Sequence, residues 1–220
     1  IHDGLWDPYN NIHMGSCAEK LSENKSYSRI DQDQFAIESY NRSSQAIKNG
    51  FFKDEIVSVE VFQRKGKSII VDTDEEPDRM KPDKIDKLSS AFKKDGTITV
   101  ANASSINDGA AAVMVMSQER SMQLNVKPIC KIISQVSFAH DPLYFTTAPA
   151  NAISKVLNKC GYNINDIDLF EINEAFSNVV MSAMDEHNIS HDKVNIHGGS
   201  ISLGHPIGSS GTRILVTLIS

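Results

Sequence analysis

Read from one end, the apolar and polar positions first fall into a polar, turn-rich stretch, residues 1–29, in which only Ala18 to Leu21 suggests the start of a short helix. Asp31 to Lys48 predicts a helix, with Asp31 as N-cap, Gln34 completing a capping box, Phe35, Tyr40 and Ile47 as its apolar marks and Gly50 as its stop. Ile56 to Phe62 alternates and predicts a strand; Gly66 turns it into a second, Ser68 to Asp72. The charged, proline-broken stretch Asp72 to Lys94 reads as a solvated loop on composition. Gly96 to Val100 predicts a strand running into the small polar turn 101–109, and the apolar run Ala110 to Met116 fits a strand better than a helix. Ser117 to Leu124 predicts a short helix and Ile129 to Phe138 a strand.

Pro149 to Cys160 is a helix by its N-terminal proline, its stripe of Ile153, Val156, Leu157 and Cys160, and Gly161 beyond it. Asp168 to Ile172 is a strand leading into a helix that ends near His187. Val194 to Ile196 is another strand, followed by a glycine-rich turn and a helix carrying Ile214, Leu215, Val216 and Leu218. From Ile129 onward strand and helix alternate, which is the α/β signature, with sites expected at strand C-terminal ends. No repeat or low-complexity tract interrupts it.

Composition narrows this little. With 220 residues, 40% hydrophobic and 23% charged, the chain can bury a sizeable core. A net charge of −6 argues against nucleic acid as a partner, and no apolar run reaches membrane-spanning length. Cys17, Cys130 and Cys160 are few and widely spaced, which implies no disulfide framework and fits a reducing environment. The chain starts at Ile1 rather than methionine and stops within an apolar helix, so an interior piece of a longer protein is expected.

Chemistry concentrates at two strand-to-helix junctions. The stretch His197 to Gly211 holds five of the chain's 12 glycines around His205, which Pro206 restrains. It matches neither a Walker A loop nor G-x-G-x-x-G. Asn173 stands at the other junction. An imidazole can take a proton from a thiol or donate to an oxyanion, and an amide can hold a water, so the pair suits the support of covalent acyl transfer. From the residues alone, a structural turn with an incidental histidine stays open, and none of the three cysteines stands out as nucleophile. A zinc set from His187, His191 and His197 lacks any supporting motif.

Four ordered motifs carry a resemblance. Asn173-Glu-Ala-Phe-Ser177, the glycine-rich stretch Gly198 to Gly211, His13-Met-Gly-Ser-Cys-Ala-Glu19, and Ala101-Asn-Ala-Ser-Ser-Ile-Asn-Asp-Gly-Ala110 together resemble the thiolase family. His13 before Met14 resembles its biosynthetic or ketolytic class. The resemblance implies a thiolase fold of layered αβαβα halves with an inserted loop domain, incomplete at both ends. Residues 1–105 would be loop domain, 106–126 a return to the N-terminal half, and 127–220 the C-terminal half. It implies joining of two acetyl-CoA molecules into acetoacetyl-CoA plus CoA, and the reverse, through a cysteine acyl-enzyme. A broader 3-ketoacyl-CoA thiolase and a non-catalytic CoA-binding relative are the alternatives.

The same resemblance distributes roles. His205 would activate the nucleophile and serve an oxyanion hole, Asn173 would hold the water completing that hole, and Glu174 would support them. His13, Met14 and Ser104 would meet the pantetheine end of CoA. Tyr40, Arg79 and Lys84 would meet its nucleotide, with Met80 and Lys81 alongside, which moves that charged stretch from solvated loop toward ligand. Ala175 and Phe176 would wall the acyl pocket. A potassium ion would sit by Tyr40, Val100, Ala101, Ala103 and Ile201, Val100 replacing a more usual alanine. Both catalytic cysteines would lie outside the 220 residues, so this chain alone is expected to be inactive, with sheet edges left unpaired. No tightly bound cofactor is implied; CoA thioesters are substrates, a homotetramer is the implied assembly, and the compartment would be mitochondrial, with cytoplasmic as the alternative.

Overall fold

The computed structural model describes residues 2–63 and 66–220. The first 29 residues hold more order than their composition predicts. A two-residue hairpin, β1 (Trp6–Asp7) and β2 (Ile12–His13), leads directly into α1 (Met14–Lys25). Its cap is an imidazole: His13 Nδ1 accepts the Gly15 N–H at 2.9 Å. α1 buries Cys17, Ala18 and Leu21 together with Glu19 and Ser22, a half-polar face that hides the helical period.

α2 (Arg29–Asn49) begins two residues before the expected start. Ser28 is its N-cap and Asp31, not Gln34, closes the capping box: Ser28 Oγ accepts the Asp31 N–H at 3.1 Å and Asp31 Oδ2 accepts the Ser28 N–H at 3.0 Å. A carboxylate in the first turn also suits the positive end of the helix dipole. Gly50, in left-handed geometry at φ 76°, ends it as expected.

β3 (Val59–Phe62) and β4 (Ser68–Val71) form the expected antiparallel hairpin, with Val59 opposite Val71 and Phe62 opposite Ser68; Gly66 follows the part of the turn that lies outside the described residues. The charged stretch after it is not simply a solvated loop. It makes two 3-10 turns, Glu76–Arg79 and Pro82–Lys87, with Ile85 buried. Arg29 donates to the carbonyls of Ile85 and Leu88 and pins the second turn to α2.

The strand expected at Gly96 to Val100 does not form. Side chains take its donors first: Glu19 accepts the N–H groups of Thr97 and Ile98, the latter at 2.9 Å, and Asn102 Oδ1 accepts that of Thr99 at 2.9 Å. The apolar runs 110–116 and 129–138 also join no ladder among the described residues, and they stay exposed, Met114 at 85% and Ile129 at 79%. Strand formation needs a partner strand, which apolar composition alone does not supply.

α3 (Gln118–Gln123), α4 (Ala148–Cys160), α5 (Ser177–His187) and α7 (Ser210–Ile219) fall close to expectation, and a short α6 (Ser200–Leu203) forms inside the stretch expected as a glycine-rich turn. α5 packs against α1, α2 and α4, and α6 lies on α2. The largest core gathers Phe35, Tyr40, Ile172, Val180, Val194 and Ile201. The segments at 168–172 and 194–196 meet at one parallel bridge, Phe170 with Val194, held by Phe170 N to Lys193 O at 2.8 Å and Asn195 N to Phe170 O at 2.9 Å. Parallel pairing sends both segments out at the same edge, so Asn173 and the glycine-rich turn emerge side by side.

Candidate active site

Two reciprocal bonds lock that edge. Ile172 N donates to Asn195 Oδ1 and Asn195 Nδ2 donates to Ile172 O, each at 2.8 Å. Asn195 takes left-handed geometry, φ 47°, to make them. Glu174, 1% exposed, is the knot of the site. It accepts from Asn195 Nδ2 at 2.9 Å, Ser39 Oγ at 2.7 Å and Ile201 N at 3.2 Å. Burial raises its carboxyl pKa, and these three donors pull the other way. Gly199 is required here, because a Cβ would lie 2.3 Å from the Glu174 carboxyl carbon.

The knot fixes the neighbours that can do chemistry. Gly204, at φ 88°, bends the chain out of α6, and His205 N then donates to Ser105 O at 2.9 Å. His205 Nε2 lies 3.3 Å from Asn173 Nδ2, and His205 Nδ1 lies 2.6 Å from Ser210 Oγ. Ser200 Oγ donates to Asn173 Oδ1. Burial, and secondly the charge of Arg213, hold the His205 pKa below the ordinary imidazole value of 6.5. The ring is therefore neutral at pH 7 and able to accept a proton.

A second row of contacts brings the distant motifs to the same place. Ser104 N and Oγ both donate to Ala175 O at 3.1 Å, and Ala103 bridges Phe176 in antiparallel fashion. Phe92 meets Phe176 edge-on with centroids 6.0 Å apart, and stacks on His13 at 4.7 Å. Gly15 is the close-approach position under that ring, since a Cβ there would lie 2.3 Å from Phe92. His13, Ser104, Ala175 and Phe176 thus share one wall, joined to the His205 turn through Ser105, and Met14 opens the helix beside His13. Phe92, Ser200 and Ser210 escaped sequence reasoning: a phenylalanine in a charged stretch and serines in small-residue runs carry no spacing signal.

The remaining residues lie farther round. Tyr40 is buried in α2, its phenol pushed up to about 12 by burial, with Glu76 and Glu174 adding to the effect. The turn carrying Arg79 packs on α2 and α6, and Arg79 pairs with Glu76 at 2.9 Å. Met80 packs on the main core, while Lys81 and Lys84 are exposed. Ile201 is buried and Val100 exposed. Among the described residues no donor reaches the backbone carbonyls of Val100, Ala101 or Ala103. Free carbonyls of this kind fit an oxygen-liganded hard cation.

Other chemistries find less. Among the described residues no group of three or more histidines, cysteines or acids could hold a metal ion. His187 bonds to Ala150 O, His191 stacks on Phe35, and His197 lies against Phe51. No helix is long and apolar enough to cross a membrane. Cys17 is buried with its thiol pKa raised by burial, Cys160 donates to Val156 O, and Cys130 lies exposed in an unpaired segment. A cleft of about 510 Å³ beyond Pro206 is lined by Glu55, Asp74 and Arg213, and neither His205 nor Asn173 lines it.

Known proteins match this arrangement along the whole chain. The family model "Thiolase, N-terminal domain" matches residues 1–119 and "Thiolase, C-terminal domain" matches residues 126–220. An acetyl-CoA acetyltransferase of Yarrowia lipolytica is 49% identical over 220 residues, all of this chain and 55% of the relative. The mitochondrial acetyl-CoA acetyltransferase of Rattus norvegicus is 47% identical over 219 residues, 99% of this chain and 52% of the relative. The chain therefore spans about half the length of the curated relatives it matches. Among solved structures, the Acat5 thiolase from Ascaris suum in complex with coenzyme A superposes with a TM-score of 0.95 at 42% identity, over 100% of this chain and 56% of that one. Human mitochondrial 3-ketoacyl-CoA thiolase superposes with a TM-score of 0.93 at 35% identity, over 98% of this chain and 54% of that one. By these matches and by its architecture, the chain belongs to the thiolase family and has the α/β thiolase fold.

Proposed function

We propose that the protein carrying this chain is an acetyl-CoA C-acetyltransferase, which joins two acetyl-CoA molecules into acetoacetyl-CoA plus CoA and reverses the reaction. The observation that carries this reading is the neutral, half-buried His205 with its Nε2 3.3 Å from the amide of a fixed Asn173. In the proposed mechanism a cysteine thiol loses its proton to His205 Nε2, and the thiolate attacks the acetyl carbonyl and expels CoA. His205, now protonated, donates to the oxyanion of the condensing acyl group, and Asn173 holds a water against the same oxygen. A second cysteine protonates the departing CoA thiolate and, as the thiolate so formed, takes the α-proton of the second acetyl-CoA. Cys17, Cys130 and Cys160 are poorly suited to either role where they stand, so this reading takes both cysteines from the rest of the protein.

The aromatic row supports CoA placement. His13, Met14 and Ser104 would face the pantetheine, Ala175 and Phe176 the acyl group, and Tyr40 with Arg79, Met80, Lys81 and Lys84 the nucleotide. The Ascaris suum relative was solved in complex with coenzyme A, and the names of several relatives carry acetyl-CoA. Potassium would sit among the carbonyls of Val100, Ala101, Ala103 and Ile201 beside Tyr40; replacing potassium by sodium should weaken CoA binding, and equal affinity removes the ion from the account. A homotetramer is proposed with it, read by light scattering. A mitochondrial location is proposed from the rat, mouse and frog relatives, read by fractionation.

The deciding experiment is steady-state thiolysis by the whole natural protein, with 3-ketoacyl-CoA substrates of increasing chain length. Turnover confined to acetoacetyl-CoA and its nearest homologues supports the proposal. Equal turnover of long chains replaces it with a broad 3-ketoacyl-CoA thiolase, and no turnover with a CoA-binding relative.

A further inference from the structure

We infer that Ser210 is a positioning residue that fixes His205 in the tautomer with hydrogen on Nδ1 and a bare Nε2, and that Ser200 fixes the amide facing it. The inference deepens the proposed acyl-transfer reading and rests on it for its catalytic meaning.

The argument is an account of hydrogens. A serine hydroxyl carries one. Ser210 Oγ lies 3.0 Å from Pro206 O, a carbonyl that can only accept and that also accepts the N–H groups of Ser209 and Ser210. The same Oγ lies 2.6 Å from His205 Nδ1. The hydrogen between them is assigned from the far side of the ring: Asn173 Nδ2, a donor, faces Nε2 at 3.3 Å, so Nε2 keeps its lone pair, Nδ1 carries the hydrogen, and Ser210 Oγ accepts it while giving its own to Pro206 O. At the other end Ser200 donates to Asn173 Oδ1. That orients the amide so that Nδ2, a donor, faces the Nε2 lone pair at 3.3 Å. The chain of donors runs one way: Ser200 to Asn173 to His205 to Ser210 to Pro206.

Local structure enforces the order. Ser210 is 3% exposed at the start of α7, and its own N–H donates to Pro206 O at 2.9 Å. Pro206 follows His205 directly, so the residue that restrains the histidine's backbone also anchors the partner of its side chain. Ser200 opens α6 immediately after Gly199, the residue packed on Glu174. Because the imidazole is held neutral, its tautomer decides which nitrogen can accept a proton. With Nδ1–H kept on Ser210, Nε2 can take a thiol hydrogen while sulfur keeps the electron pair. The resulting imidazolium keeps the same Nδ1 partner, so the ring need not rotate between its two tasks.

The test is two-bond proton–nitrogen correlation NMR on the whole natural protein with nitrogen-15-labelled histidine at neutral pH, with the His205 signals identified by their loss in His205→Gln. The expected resting form carries hydrogen on Nδ1. In Ser210→Ala the ring should pass to the Nε2–H or a mixed form. Acylation by acetyl-CoA should then fall roughly 10- to 100-fold, by analogy with losing the hydrogen-bond partner that orients a metal-bound histidine, with CoA affinity unchanged. Ser210→Thr, which keeps the hydroxyl, should restore both readouts. An Nε2–H resting form overturns the inference even if Ser210→Ala does not fold, and so does an unchanged tautomer in Ser210→Ala. The tautomer is read without turnover. An Nδ1–H ring in a protein that transfers no acetyl group would defeat the acyl-transfer reading and leave the role of Ser210 standing.

Discussion

Gly199→Ala tests the claim that Glu174 and the glycine-rich turn form one locked unit. The new Cβ would lie 2.3 Å from the Glu174 carboxyl carbon and 2.5 and 2.6 Å from its oxygens. Ordinary carbon contacts lie near 3.5–4.0 Å, so about 1 Å of overlap must be relieved. Glu174 cannot yield cheaply, since it is 1% exposed and held by Ser39, Asn195 and Ile201. Overpacking alone costs about 1–3 kcal/mol, and a lost hydrogen bond to a charged partner about 1.5–3 kcal/mol. Taken together, about 3 kcal/mol is a conservative expectation, or roughly 6–12 °C in the unfolding midpoint of a domain this size. Gly208→Ala is the control inside the same motif: nothing lies within 4 Å of its added Cβ, and it should stay within roughly 2 °C of wild type. Differential scanning calorimetry of the three proteins decides. Equal midpoints for Gly199→Ala and wild type would refute the locked unit.

Further expectations follow from the same geometry. Glu174→Gln places an amide NH2 against donors, because Ser39, Asn195 and Ile201 all donate to the carboxyl; it should cost about 1–3 kcal/mol by denaturant titration, and wild-type stability would show that the carboxylate is not needed. Asn173→Ala removes the amide proposed to hold the water at the condensing acyl oxygen and should lower the steady-state condensation rate by about 10²–10³-fold, with little change in CoA affinity; a twofold loss would count against its role. Burial holds the pKa values of His13, His191, His197 and His205 below 6.5. The native state therefore binds fewer protons than the unfolded chain in that range, so stability should fall as pH drops below about 6.5 in melts at stepped pH. The acidic limb of the acylation rate should also lie below the ordinary imidazole value, and a limb above it would contradict the neutral His205.

Helices with strong local signals were legible. α4 carries its N-terminal proline and apolar stripe within its own residues, with Gly161 next to it as the stop, α5 ends near the expected His187, and α2 differs in its capping side chains and in a start two residues earlier. α1 was hidden because its cap is an imidazole and its buried face includes Glu19 and Ser22. Strands were less legible, since a ladder depends on residues far away. Thr97 and Ile98 give their donors to Glu19, a choice no window around residue 97 contains. At the site, His205 stood out because glycine and proline announce its turn, and Asn173 because it directly follows the expected strand Asp168 to Ile172. Their partners did not: Ser210 and Ser200 matter through the atoms they face, and Phe92 through a ring stacked on His13 from a charged segment.

The central claim is that His205 serves as the base for a cysteine acyl-enzyme. The most direct measurement is intact-protein mass spectrometry of the whole natural protein mixed with acetyl-CoA, beside His205→Ala. One acetyl group per chain on a cysteine in wild type, and none in His205→Ala on the same timescale, is the predicted result. Acetylation of His205→Ala at the wild-type rate would contradict it.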